Sequence, residues 1–183
     1  MIQIHYTALV TLISVLWILT RAYYAVKNKG VNWAWEAKLL LVYICIVVVV
    51  RCTFIPFSKV DGKLQPLLFD VTQMFPPRIN LIPIVYLFDY PVFWEALLNF
   101  IGNTTMFIPL GIVFPILDRR LNTHAKAMAA GVSISLCIEI LQLPFFDRVS
   151  DIDDLLLNSL GYVTGYGIYL LVKWIASKIR KKV

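Results

Sequence analysis

Charge is what this chain has little of. Lysine, arginine, aspartate and glutamate make up 15% of its 183 residues and hydrophobic residues 60%, where a soluble domain carries about a quarter and about a half. That balance excludes a disordered chain, which is poor in apolar residues, and a domain that grips nucleic acid through a basic surface. Histidine occurs only as His5 and His124, and cysteine only as Cys45, Cys52 and Cys137. All three cysteines fall inside apolar runs and read as small buried residues. Cys45 and Cys52 would lie about 10 Å apart along one helix, beyond the reach of a disulfide. No cofactor and no metal are expected.

Five hydrophobic runs are long enough to cross a bilayer, at roughly residues 4–19, 39–57, 96–117, 127–146 and 155–175. The first lacks the basic start and the cleavage site of a signal peptide, so it reads as an uncleaved anchor. Lysine and arginine in short loops stay on the cytoplasmic side. The first loop, the third loop and the C-terminal tail hold twelve basic residues against Glu36 and Asp118, for +10. The other connections hold four basic residues against eight acids, for −4, while Arg51 and Glu139 lie within spans and cancel. The N-terminus is therefore expected outside and the C-terminus in the cytoplasm. The net charge of +6 becomes a property of the inner face, suited to anionic lipid head groups. The fold class is all-α: a polytopic integral membrane helical bundle of about five transmembrane helices.

The one long connection, residues 58–95, holds five prolines, and Tyr86, Phe88, Tyr90, Phe93 and Trp94 crowd its second half. Aromatic rings with polar edges favour the interface, so an amphipathic or re-entrant outer loop is expected there. Within the spans, Pro109 and Pro115 should kink the third helix. Gly161 and Gly165 give the fifth a small-residue face suited to close packing inside the chain or to a homodimer.

The residues that do not belong in hydrocarbon collect at one level. Counted from the outer ends, Arg51, Asn103 and Glu139 lie about 10 Å deep, and Asn99, Gln142 and Asn158 about 5 Å deep. Asn99 and Asn103 share a helix face, as do Ser135, Glu139 and Gln142, and Asp151, Asp154 and Asn158. An unpaired charge there is costly, so Arg51 is expected to pair with Glu139. The layer reads either as a structural clasp between helices or as a pocket for a polar ligand, and intramembrane ionisable groups favour the pocket. Above it lie Asp147, Arg148, Asp151, Asp153 and Asp154. Their carboxylates suit a divalent cation, although no calcium-loop spacing is present. They equally suit a helix start, with Ser150 or Asp151 as the N-cap.

Several segments resemble the VanZ-like family of small bacterial membrane proteins, named for a teicoplanin-resistance accessory protein. They are Ile79-Asn80-Leu81-Ile82-Pro83, Gly102-Asn103, Phe107-Ile108-Pro109-Leu110-Gly111 and Glu139-Ile140-Leu141-Gln142, then Arg148 followed by Asp151, Asp154, Asn158 and Gly161. The resemblance covers residues 80–167 and divides the chain into an N-terminal transmembrane region, 1–50, a VanZ-like membrane domain, 51–175, and a basic cytoplasmic tail, 176–183. It implies a multi-pass protein of the bacterial plasma membrane. It adds Asn80 and Arg148 to a functional layer of Arg51, Asn99, Asn103, Glu139, Gln142, Asp151, Asp154 and Asn158. The expected partners are membrane lipids and a lipoglycopeptide or cell-wall lipid precursor. Two functions remain open beside a less favoured channel or carrier. One is a non-enzymatic envelope protein that engages such an amphiphile and lowers glycopeptide susceptibility. The other is an intramembrane enzyme on a lipid-linked phosphate or sugar, with Asp151, Asp154 or Glu139 as acid, base or metal ligand and Arg51 or Arg148 holding an anion. Against the enzyme, neither histidine can join the layer, and no cysteine or serine has a recognisable base beside it.

Overall fold

The computed structural model describes residues 1–55, 59–60, 62–84, 93–121 and 123–181. Five helices occupy the expected runs: α1 (Tyr6–Lys27), α2 (Trp33–Phe54), α3 (Phe93–Leu117), α4 (His124–Gln142) and α5 (Ile152–Arg180). All five are long and apolar enough to cross a membrane, and the protein is all-α. In hydrocarbon a spanning segment must satisfy its own backbone. That requirement makes even the β-branched run from Val47 to Val50 helical.

The helices overrun or stop short of the apolar runs for local reasons. α1 starts at Tyr6 because Ile2–Ile4 (β1) pairs antiparallel with Leu67–Phe69 (β4). α2 starts six residues before the expected Leu39, at Trp33, because the Asn32 side chain accepts a bond from the Trp35 amide and caps it. α4 ends at Gln142 rather than Phe146, since Pro144 disfavours helical geometry in the residue before it. α5 runs on to Arg180 through polar residues that an apolar scan leaves out. α3 continues through both Pro109 and Pro115.

The chain divides into two compact units, Met1–Arg78 with Leu141–Val149, and Ile79–Ile140 with Ser150–Val183. In the first, α1 and α2 form a hairpin. Ser14 meets Tyr43 at 2.6 Å, Trp17 packs on Tyr43 with ring centres 5.4 Å apart, and Arg21 donates to Glu36 at 2.7 Å. α1 closes in a Schellman motif, with the Gly30 amide on Ala25 O and the Lys29 amide on Val26 O. Lys59–Val60 (β2) and Lys63–Leu64 (β3) make a short hairpin with Gly62 at φ 73. Asp70 then caps the 3-10 turn Val71–Met74, and the hydroxyl and amide of Thr72 hold its carboxyl below the ordinary carboxylate range. The described residues of the loop expected to lie on the membrane form short strands and a turn as far as Ile84. Its aromatic half, with Tyr86, Phe88 and Tyr90, lies outside the described residues, and Phe93 and Trp94 open α3.

In the second unit, α3 and α5 approach until backbone meets backbone. A Cβ on Gly161 would lie 1.9 Å from Thr104 O, one on Gly165 2.0 Å from Ile108 O, and one on Gly111 2.0 Å from Tyr162 O. Of the two uses expected of the glycine face, close packing inside the chain or a homodimer, Gly161 and Gly165 show the first, against α3. Gly131 on α4 leaves room for the fully buried ring of Tyr162, which meets Phe114 edge-on. Ile79–Asn80 (β5) pairs in parallel with Ser150–Asp151 (β6), Asn80 opposite Asp151. Gly165→Ala should force α3 and α5 apart and destabilise the protein by about 2–3 kcal/mol. Gly167→Ala, which has nothing within 4 Å of its added carbon, should change thermal stability in detergent little.

Candidate functional site

The site of the second unit begins where α5 begins. Of the two caps the sequence allows, Asp151 is the one used: its carboxylate accepts from the Asp153 amide at 2.9 Å. The β5–β6 pair brings Asn80 alongside, and its amide donates to both Asp151 oxygens at 3.1 and 3.2 Å. Asn80 keeps its own geometry by accepting from the Ile82 amide at 3.1 Å. The backbone amide of Asp151 donates to Glu139 at 2.8 Å, which ties the start of α5 to α4.

One turn further along, the α-helical period repeats the pattern. Asp154 accepts from Asn103, and Asn103 also donates to Asn99 one turn away on α3, at 2.9 Å. Asn158 donates to Ser135 on α4 at 3.0 Å. Asp153 turns its Oδ1 to the Ile84 amide at 2.8 Å. Ser135, Glu139, Asp153 and Asn158 are all more than nine-tenths buried. Among the described residues, Asp153 Oδ2 and Asn158 Oδ1 are buried without a hydrogen-bond partner. Seven of the ten expected residues, Asn80, Asn99, Asn103, Glu139, Asp151, Asp154 and Asn158, therefore belong to one unit. Ser135 and Asp153 join them. Ser150, the other N-cap the sequence allows, is not used. Among the described residues, no three histidine, cysteine, aspartate or glutamate side chains group as metal ligands would.

The other three, Arg51, Gln142 and Arg148, belong to the first unit, where they gather at the C-terminus of α2. Gln142 donates to Thr53 O at 2.8 Å, Arg148 to Phe54 O through two nitrogens at 2.9 and 3.2 Å, and Arg51 to Ile55 O at 3.0 Å. These carbonyls have no intrahelical donor, and a cation there also complements the helix dipole. Arg51 and Glu139, expected to pair with each other, fall in different units, and within its own unit each has another partner. Arg51 also lies over the Tyr6 ring at 5.6 Å. Arg78, which carries no signal in the sequence beyond its charge, does similar work by donating to Phe145 O at 2.6 Å and to Phe146 O. Phe145 in turn meets Phe54 and Phe69 edge-on.

Five helices long and apolar enough to span a membrane define a polytopic α-helical membrane protein. A family model described as VanZ/LLP1 matches residues 40–173, and the chain belongs to that family. The match takes in all ten expected residues and extends the resemblance at both ends. No curated protein and no solved structure matches the chain.

Replacing Arg148 with methionine leaves Phe54 O without that donor, so Arg148→Met should lower stability by about 1–3 kcal/mol. Arg148→Lys, with a single rotatable ammonium, should lose less. Thermal unfolding of the purified variants in detergent checks both.

Proposed function

We propose that the protein is a non-enzymatic component of the bacterial plasma membrane. In this reading its polar layer receives a lipid-tailed glycopeptide or a cell-wall lipid precursor at the outer leaflet and so lowers susceptibility to teicoplanin-like drugs. The observation that carries it is the pair of buried oxygens on Asp153 and Asn158 that lack donors. A buried unmet acceptor costs stability, and a ligand bearing hydroxyl or ammonium groups supplies what is missing. Family membership supports a VanZ-like membrane protein, and the resemblance to a family named for a teicoplanin-resistance accessory protein suggests the drug class.

The alternative, an enzyme on a lipid-linked phosphate or sugar, draws on the same carboxylates. It would be revealed by a changed lipid-precursor profile on expression that Asp151→Asn abolishes. The non-enzymatic reading expects no such change.

The outer-leaflet placement rests on the charge count, with the N-terminus outside. In a variant whose three cysteines are alanine, a cysteine at Asp147 should react with a membrane-impermeant maleimide in intact cells. One at Lys27 should react only after permeabilisation. The reverse pattern would turn the layer toward the cytoplasm and end the proposal.

Expression should reduce susceptibility to teicoplanin several-fold and leave susceptibility to a tail-less, vancomycin-like glycopeptide unchanged. Glu139→Gln and Asp151→Asn should lose the protection while still reaching the membrane. Equal teicoplanin susceptibility with and without the protein would count against resistance, and unchanged protection in both variants would leave the layer as a clasp.

A further inference from the structure

Residues 17–36 precede the segment matched by the family model, yet they build a cavity of their own. It lies between α1 and α2 beside their connecting loop and measures about 340 Å³, within the range of about 300–1,000 Å³ common to small-ligand sites. Trp17 and Trp33 line it together with Ala22, Ala25 and Val31. Ala22 and Ala25, three residues apart, fall on one helix face, and their small side chains leave the space. Arg21 and Glu36, also in the lining, satisfy each other through two hydrogen bonds.

We infer that this groove binds one anionic phospholipid, with an acyl chain against the tryptophans and alanines and the phosphate at the lysines of the loop. Charge complementarity selects that occupant. Between Arg21 and Lys38 the basic residues are Arg21, Lys27, Lys29 and Lys38, and the sole acid is Glu36. With Glu36 engaged by Arg21, the segment presents the lysines as net positive charge, which anionic head groups attract.

Lys29 is a second, independent pointer. It occupies the left-handed position that ends α1, at φ 51, where glycine is the usual residue and a side chain is strained. Gly30 stands one residue further on, outside that position. A strained lysine whose side chain is exposed, on the turn between the lining residues Ala25 and Val31, fits a residue kept for its charge. The site is separate from the polar layer and does not depend on its function.

The test is native mass spectrometry of the full-length, delipidated protein titrated with dioleoyl phosphatidylglycerol or dioleoyl phosphatidylcholine. The wild type should hold one phosphatidylglycerol about tenfold more tightly than phosphatidylcholine, the order expected of one or two lysine contacts. Lys29→Gly removes the charge while relieving the backbone, so it should unfold at the same or a higher temperature and yet lose the preference. Ala25→Trp, which fills the groove, should lose the tightly held molecule of either lipid. Equal retention of the two lipids by the wild type, or an undiminished preference in Lys29→Gly, overturns the inference. So does a change in subunit stoichiometry in Ala25→Trp without loss of lipid, since the groove would then seat a second copy. If Ala25→Trp does not fold, Lys29→Gly decides alone.

Discussion

The second unit depends on the hydrogen bond from the backbone amide of Asp151 to the Glu139 carboxylate. A helix start in an apolar setting has amides with no partner inside the helix, and each must find an acceptor. Glu139 takes the amide just ahead of α5, and the Asp151 side chain takes the amide of Asp153. Together they fix the residue at which α5 starts. A start shifted by one residue would turn the helix faces by about 100°. Asp154 would then leave Asn103, and Asn158 would leave Ser135, so three elements would lose their polar contacts at once.

The seam between α3 and α5 is the complement of that anchor. Glycines at 161 and 165 admit the α3 carbonyls of Thr104 and Ile108 to backbone distance. Asn103 is the neighbour of Thr104 and donates to Asp154, two turns before Gly161. Close packing thus holds a helix at the distance at which short amide and carboxylate side chains can meet. Longer residues at the seam would separate the same groups beyond hydrogen-bonding range. Packing without side chains and recognition by short ones are two consequences of one geometry.

The faces of the helices were legible because the helical period is written into the spacing. Asn99 with Asn103, Ser135 with Glu139, and Asp154 with Asn158 each stand four residues apart, and each pair faces the unit's polar interior. Counting along a helix gives a level and not a neighbour. Arg51 and Glu139 share a level by counting, and the sequence offers no lateral coordinate to show that Arg51 reaches the end of its own helix. The donors to α2 come from residues about ninety positions away, a separation no local pattern encodes. The two-residue strands β5 and β6 are too short for any periodicity, although they decide where Asn80 goes. Helix ends were missed where polar residues carry a helix past the apolar core, as at Lys27 and Arg180.

Helix-end electrostatics sort the charged residues of the layer by sign. The C-terminus of α2 carries partial negative charge and collects Arg51 and Arg148, while the N-terminus of α5 carries partial positive charge and collects Asp151, Asp153 and Asp154. Much of what looks like a reactive constellation in the sequence is therefore engaged in satisfying backbone. The oxygens left over are the informative ones. Among the described residues of the second unit they are Asp153 Oδ2 and Asn158 Oδ1, carboxylate and amide acceptors that neither capping nor packing employs, beside the hydroxyls of Thr104 and Tyr162. A hydroxyl or an ammonium can donate to either oxygen, whereas a phosphodiester, which brings only acceptors, cannot. On the proposed reading, these oxygens would select the sugar or amine portion of an amphiphile over its phosphodiester.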